Sequence, residues 1–231
     1  MPSALLMVMA DARSPSGDPA HSGGVEAACA AGLVTDAVSL RAFLDGRLWT
    51  AGATGAFAAA AVCLRARDGN PTPSLWRTVE AEIDARIPSP AARQASREQG
   101  GRTLRKAMAA ADSPIFDGLA RACVSHGMKP HHSVALGAVA AVAGLPPQEA
   151  AETAAYASVA APAFAAQRLL GLGVEVIERI GLDMAPEISR LAKEAAEVCS
   201  LPLARMPSSS APVLEFLAEE HAGLARRSFA S

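Results

Sequence analysis

The stretch LWTAGATGAFAAAAVCL, residues Leu48–Leu64, contains no charged side chain and is built mainly from alanine, glycine and threonine. Alanine is the most favourable residue in a helix and a poor one in a strand, so the stretch predicts a helix. It is shorter than the roughly 20 apolar residues that a membrane-spanning helix needs. We therefore interpret it as a helix buried in a protein core.

The composition of the whole chain of 231 residues extends this prediction. Hydrophobic residues make up 51% of the sequence and aromatic residues only 4%, so alanine supplies much of the apolar surface. No alternating run of β-branched and aromatic residues is long enough to indicate a sheet. The sequence therefore predicts an all-α fold, a single-domain helical bundle of about ten helices that spans residues 1–231.

Capping residues and prolines indicate where several of these helices begin and end. Ser22 is the expected N-cap of a short first helix that ends at Gly32. Ser74 is expected to cap a later helix in the same way. Towards the C-terminal end, Pro186 is expected to separate a short helix over residues 174–180 from the helix that follows.

Net charge and cysteine content limit the partners and the compartment. The formal net charge is −2 and the sequence pI is about 6.2, so the chain has no basic excess that would favour nucleic acid. The four cysteines are far apart and form no CxxC pair, which is typical of buried thiols. The first residues lack the basic segment of a secretory signal. We expect a cytoplasmic protein that binds neither membrane nor nucleic acid.

The sequence shows no recognisable catalytic, cofactor-binding or metal-binding motif. The glycines at Gly23-Gly24 fit neither common phosphate-loop pattern. The adjacent pair His131-His132 would point about 100° apart on a helix, so both side chains cannot easily ligate one ion. No GxSxG nucleophile motif is present. We therefore predict no catalytic residue, no metal ligand and no cofactor, with a cysteine–histidine pair formed only in the folded chain as an alternative.

The two ends of the chain differ from its helical middle. Residues 1–20 form an N-terminal arm rich in proline and glycine, and residues 226–231 form a basic and aromatic tail, RRSFAS. Arginine and phenylalanine are favoured at protein interfaces, so the tail is a candidate partner-binding segment. The alternative is a pair of cations at a helix end, which would interact favourably with the helix dipole.

The arm and the first helix carry the pattern D-x-x-x-P-x-G-x-x-x-H-S-x-G-x-E, which resembles the beginning of the UreF family of urease accessory proteins. Later segments resemble the same family in the same order: R-x-A-S-x-x-x-G, P-x-H followed by a glycine, R-L-x-x-L-G and the terminal run from His221 to Ser231. Together they cover nearly the whole chain. The residues that carry the resemblance are Asp11, Pro15, Gly17, His21, Ser22, Gly24, Glu26, Arg93, Gly100, His132, Gly137, Arg168, Gly173, Arg227 and Phe229.

This resemblance implies an all-α protein without enzymatic activity that forms a homodimer. It also implies that the protein bridges UreD, called UreH in some organisms, and the GTPase UreG, and so helps to deliver nickel to the urease apoprotein. The residues implied to face UreG are His21, Ser22, Gly24 and Glu26. The residues implied to lie in a tail that orders when UreD binds are Arg227 and Phe229.

The other residues of the pattern are expected to shape the fold. These are Pro15, Gly17, Arg93, Gly100, His132, Gly137, Arg168 and Gly173. Two further hypotheses stay open. The chain could regulate GTP hydrolysis by UreG through an arginine such as Arg227 that reaches the γ-phosphate. It could instead be an unrelated small helical enzyme, which would need a substrate-sized pocket with two convergent titratable groups.

Overall fold

The computed structural model describes residues 21–67, 71–209, 211–224 and 228–229. These residues form nine α-helices and no strand, which confirms the predicted all-α fold. The helices are α1 (Val25–Ala30), α2 (Ala37–Arg67), α3 (Pro73–Asp84), α4 (Pro90–Ala110), α5 (Pro114–Ser125), α6 (His132–Val142), α7 (Pro147–Leu170), α8 (Val174–Val198) and α9 (Pro212–Gly223).

The alanine-rich helix α2 lies at the centre of the core, as its sequence predicted. Residues 56–62 are at most 9% exposed, and α2 packs against α6, α7 and α8. The contact with α6 is very close, because a Cβ atom on Gly137 would lie 2.6 Å from the Ala59 carbonyl oxygen and 2.8 Å from Val62 Cβ. Small residues therefore let the two helix backbones approach, and a side chain at position 137 would force them apart.

The start of α2 is fixed by a capping box, and its middle contains a π-helical turn. The Asp36 carboxylate accepts a hydrogen bond from the Ser39 N–H at 2.8 Å, and the Ser39 hydroxyl accepts one from the Asp36 N–H at 3.1 Å. The π-helical turn covers Leu48–Gly52. By length and composition α2 could cross a membrane, but 67% of its most apolar window is buried inside the protein, which a core helix also shows.

The N-cap predicted for α1 is wrong. Gly24 occupies the N-cap position with a left-handed backbone at φ 90°, which favours glycine. The two consecutive glycines turn the chain so that the Ser22 hydroxyl is buried, and it has no hydrogen-bond partner in the described part of the chain. At α3 the cap is Thr72, which directly precedes the helix, and not Ser74.

The predicted break at Pro186 is also wrong, because α8 continues through this proline. A proline inside a helix removes one hydrogen bond and costs about 3 kcal/mol. Buried residues recur at helical spacing on both sides of it: Ile177, Ile180, Met184, Ile188, Leu191, Ala192 and Ala195. Packing of this continuous face, mainly against α7, offsets the cost, and Pro186 itself is exposed.

Two residues of the family pattern hold α4 in place. Arg93 Nη1 donates hydrogen bonds to the carbonyl oxygens of Ile87 and Pro88 at 2.6 and 2.9 Å, and so closes the turn between α3 and α4. Gly100 lies against the Pro130 carbonyl group, where a Cβ atom would overlap the oxygen. This close approach places α4 beside the start of α6.

A buried polar cluster joins α3, α4 and the start of α6, and we refer to it as the core cluster. Its members are Glu80, Asp84, Ser96, Arg97 and His131. His131 is fully buried and contacts Ser96 Oγ at 3.0 Å and Asp84 Oδ1 at 2.9 Å. Glu80 accepts hydrogen bonds from the His131 backbone N–H at 3.1 and 3.2 Å and from Arg97 at 2.9 Å. Arg97 also donates to Asp84 at 2.6 Å, so His131 is a hydrogen-bonded core residue.

Candidate functional site

The two ends of the described chain meet at one carboxylate, that of Glu26 on α1. Its Oε2 lies 2.7 Å from His221 Nε2 on α9 and accepts the Phe229 N–H at 3.3 Å, and its Oε1 accepts the Ser228 N–H at 2.6 Å. We refer to these four residues as the terminal cluster. Glu26 is only 7% exposed and His221 only 2%, so both side chains are buried where α1, α9 and the tail meet.

Hydrogen bonds keep the Glu26 carboxylate ionised. Burial alone would raise its pKa, but the donors from Ser228, His221 and Phe229 together favour the charged form more strongly, so its pKa lies below the ordinary value. An ionised carboxylate only accepts hydrogen bonds, so His221 must carry its proton on Nε2. The terminal cluster therefore clamps the end of the chain against the first helix.

Phe229 is held by its ring as well as by its backbone. It is 5% exposed, and the Arg168 guanidinium lies over its ring at 5.5 Å from the ring centroid, within cation–π range. Arg168 lies in the last turn of α7. A residue predicted to shape the joint after α7 thus contacts a residue predicted to bind a partner.

The turn before α1 sets the position of Glu26. Gly23 and Gly24 both have positive φ, at 59° and 90°. A Cβ atom on Gly23 would lie 2.9 Å from Pro162 Cγ and 3.0 Å from Arg47 Cζ, so the turn passes directly over these side chains. The family pattern includes Gly24, but Gly23 is equally constrained.

His21 lies on the other side of this turn, towards α4 and α6. It is 8% exposed, and its Nε2 lies 3.0 Å from Arg102 Nη1. Burial, reinforced by the nearby His21, lowers the pKa of His132 to about 4, so His132 is neutral at pH 7. Among the four residues implied to face UreG, Glu26 contacts the described part of the tail through its side chain.

The other family-pattern residues that the structure describes lie at helix contacts, turns and helix ends. Gly173 precedes α8, where a Cβ atom would overlap the Glu175 carboxylate. The residues already described at helix contacts and turns are Arg93, Gly100 and Gly137. The residues that lie outside the described part of the chain are Asp11, Pro15, Gly17 and Arg227.

Sequence reasoning missed His221 as the partner of Glu26. It placed His221 only within the terminal run that resembles the family, and no spacing rule connects two residues 195 positions apart. It also missed the charged partners that surround His131. Among the described residues, no group of three or more histidine, cysteine, aspartate or glutamate side chains is arranged to hold a metal ion.

Fold and site together define an all-helical protein in which a charged cluster fastens the end of the chain to its first helix. The profile of the UreF family matches residues 34–185. The chain is similar to UreF of Mycolicibacterium vanbaalenii (38% identity) and of Mycobacterium marinum (41%), each over 228 residues, which is 99% of this chain and 98% of the relative. UreF of Mycobacterium tuberculosis H37Ra is 36% identical with the same coverage. The chain belongs to the UreF family of urease accessory proteins.

Proposed function

We propose that this chain is a scaffold in urease maturation that bridges UreD (UreH) and the GTPase UreG, and so takes part in the delivery of nickel to the urease apoprotein. The observation that carries this proposal is similarity to urease accessory proteins over 99% of the chain. A scaffold needs shaped surfaces and not a reaction centre. We further propose that the protein acts in the cytoplasm as a homodimer, without a resident metal or organic cofactor.

The terminal cluster supports two adjacent partner-binding regions. The region proposed to face UreG contains His21, Ser22, Gly24 and Glu26, and the region proposed to face UreD contains Arg227 and Phe229. Because Glu26 accepts hydrogen bonds from the backbone of the tail, the two regions touch. Phe229 is buried beside Arg168, so a contact between its ring and UreD requires the ring to leave this place.

Co-expression with UreD and UreG from the same organism tests the scaffold. The mass of the purified assembly is measured by light scattering in the presence of nickel and a GTP analogue. We expect one stable complex that holds two copies of each protein. Recovery of this chain with neither partner bound would contradict the proposal.

The substitution Phe229→Ala tests the tail region. Loss of a buried aromatic anchor from an interface commonly costs 2 kcal/mol or more, so we expect UreD affinity to fall at least about thirtyfold. The matched control is Phe216→Ala on α9, because Phe216 is 62% exposed. Equal UreD binding by the two variants would argue against the tail assignment.

Turnover of GTP by UreG distinguishes the scaffold from a regulator of hydrolysis. In Arg227→Ala, a scaffold predicts weaker assembly with unchanged turnover for each UreG that is bound. A regulator that acts through an arginine finger predicts an intact complex in which turnover falls by about a thousandfold or more.

A further inference from the structure

A partly open cavity of about 360 Å³ lies between the turn before α1 and the helices α2, α4, α6, α7 and α9. Its volume is at the lower end of the range for small-molecule sites. Most of its wall is alanine, glycine and other small side chains, with a few polar groups among them. The charged residues on its wall are Arg47, Arg86, Glu98 and Glu215.

The Arg47 side chain is held through its Nε, and its two Nη groups make no hydrogen bond within the described part of the chain. Its Nε donates a hydrogen bond to the Ser158 carbonyl oxygen at 2.8 Å. The face of its guanidinium packs under Gly23, where a Cβ atom would lie 3.0 Å from Cζ and Nη2. No acceptor in the described part of the chain takes a hydrogen bond from either Nη group. Burial lowers the pKa of Arg47 to about 10 although the nearby Glu215 carboxylate favours its charged form, so the group is still a cation at pH 7.

The helix backbone changes from α-helical to π-helical directly after Arg47. The π-helical turn Leu48–Gly52 begins immediately after it, and such turns are often found at functional sites. Gly52 faces Ser158, where a Cβ atom would lie 2.5 Å from Oγ. The π-helical turn and α7 therefore pack closely at Gly52, and this packing holds the Ser158 carbonyl oxygen against Arg47.

The other charged groups of the cavity already form hydrogen bonds within the protein or restrict the charge of a ligand. Arg86 donates to Glu82 at 2.6 Å and to carbonyl oxygens of the loop before α9. Glu215 accepts the Ser89 N–H at 2.7 Å. Glu98 is a second carboxylate in the lining, and together the two disfavour a ligand with more than one negative charge.

We propose that this cavity binds a small, planar, singly charged oxyanion of the carboxylate class, held by the two Nη groups of Arg47. A guanidinium offers parallel N–H donors that match the two oxygens of such an anion, and this geometry favours planar over tetrahedral anions. The cavity shares His221 with the terminal cluster, but the proposed contacts are made by Arg47, so the proposal does not depend on the scaffold role.

Binding of simple anions to the purified chain tests the site at constant ionic strength. The probes are acetate and nitrate as planar monoanions, sulfate as a tetrahedral dianion and chloride as the background anion. Binding is followed by the NMR line width of ¹³C-labelled acetate and by the unfolding temperature. We expect saturable binding of acetate and nitrate, and at least tenfold weaker binding of sulfate.

Variants assign the binding to Arg47. We expect Arg47→Gln to weaken acetate binding at least tenfold, and Arg179→Gln, an exposed arginine on α8, to leave it unchanged. Arg47→Lys keeps the positive charge but loses the paired N–H donors of the guanidinium, so we expect acetate binding of intermediate strength. If Arg47→Gln does not fold, this variant tests the assignment to Arg47. The proposal is overturned if the unaltered chain binds neither planar anion saturably, if sulfate binds as tightly as acetate, or if neither Arg47 variant weakens binding.

Discussion

The terminal cluster and the core cluster each pair a buried glutamate with a histidine, yet the pKa values of the two glutamates move in opposite directions. The pKa of Glu26 lies below its ordinary value. Burial raises the pKa of Glu80 to about 7, although Arg97 and the His131 N–H favour its ionised form. Glu80 lies deep between three helices, where the loss of water dominates. Glu26 lies nearer the surface, where its hydrogen-bond donors dominate.

The two clusters also differ in what they connect. In the core cluster the hydrogen-bonded residues are 13 to 51 positions apart and lie on helices or at their ends. In the terminal cluster Glu26 reaches 195 to 203 positions along the chain, to α9 and the tail. The tail contacts of Glu26 come from residues after α9, so we expect their release to leave the helix packing in place, whereas loss of a charged member of the core cluster leaves its partner without a counter-charge. We therefore expect the core cluster to govern stability and the terminal cluster to govern assembly.

Removal of Arg97 should have the largest effect on stability. Arg97→Leu removes the cation that Glu80 and Asp84 share, and breaking a buried pair in this way typically costs about 3–5 kcal/mol. Urea unfolding followed by circular dichroism measures the loss. The control is Arg105→Leu, an exposed arginine on the same helix, for which we expect a change within about 0.5 kcal/mol. Similar small losses in both variants would show that the core cluster does not govern stability.

The close approach of α4 to the start of α6 should be the next most sensitive feature. In Gly100→Ala the new methyl group meets the Pro130 carbonyl oxygen, and overpacking of this kind costs about 1–3 kcal/mol. Gly181→Ala is the matched control, because Gly181 lies within α8 with no atom near its Cβ position. Alanine there should stabilise the helix by about 0.5–1 kcal/mol. A neutral Gly100→Ala would mean that α4 can shift freely against the core cluster.

Much of the fold follows from local sequence. The alanine-rich stretch that became α2 and the near absence of strand patterns were sufficient to predict an all-α protein. Local rules failed at Ser22 and Pro186 for a common reason. At both positions tertiary packing outweighs the local preference: Ser22 is buried, and the apolar face of α8 continues past its proline.

Neutralisation of Glu26 should destabilise the protein less than loss of Arg97. Glu26→Gln weakens three hydrogen bonds to a charged acceptor, and we expect a loss of about 1.5 kcal/mol at pH 7. Because the folded pKa of Glu26 lies below the unfolded value, its contribution is present above about pH 4.5 and is lost as the pH falls. Urea unfolding of the two proteins at pH 7 measures the loss of stability. The same measurement at pH 4 tests whether that loss becomes smaller as the pH falls.

The control for Glu26 is Glu220→Gln, an exposed glutamate on α9. We expect this variant to keep its stability and its partners, whereas Glu26→Gln should also weaken capture of UreD and UreG. If Glu26→Gln binds both partners normally, the terminal cluster fastens the tail but does not govern assembly.

The terminal cluster could not be predicted in the same way as the fold. Two of the groups that bind Glu26 are backbone N–H groups, at Ser228 and Phe229, and a backbone donor leaves no mark in the side-chain pattern. The family resemblance selected Glu26, Arg168 and Phe229 individually. It gave no indication that they lie together, because residues this far apart are joined only by the complete fold.

The pH dependence at Glu80 is the finest test of the comparison. Folded Glu80 binds its proton more tightly than the unfolded chain does, so its contribution to stability is largest below about pH 4.5 and is lost as the pH rises to about 7. The stability gap between the unaltered protein and Glu80→Gln should therefore be wider at pH 5 than at pH 7.5 in urea unfolding. His131 and His132, whose pKa values burial lowers to about 4, are present in both proteins, so we expect their titration to cancel from the gap. If the stability gap is constant or narrower at pH 5, the hydrogen-bond donors outweigh burial at Glu80 as they do at Glu26. The pKa values of the two glutamates would then not move in opposite directions.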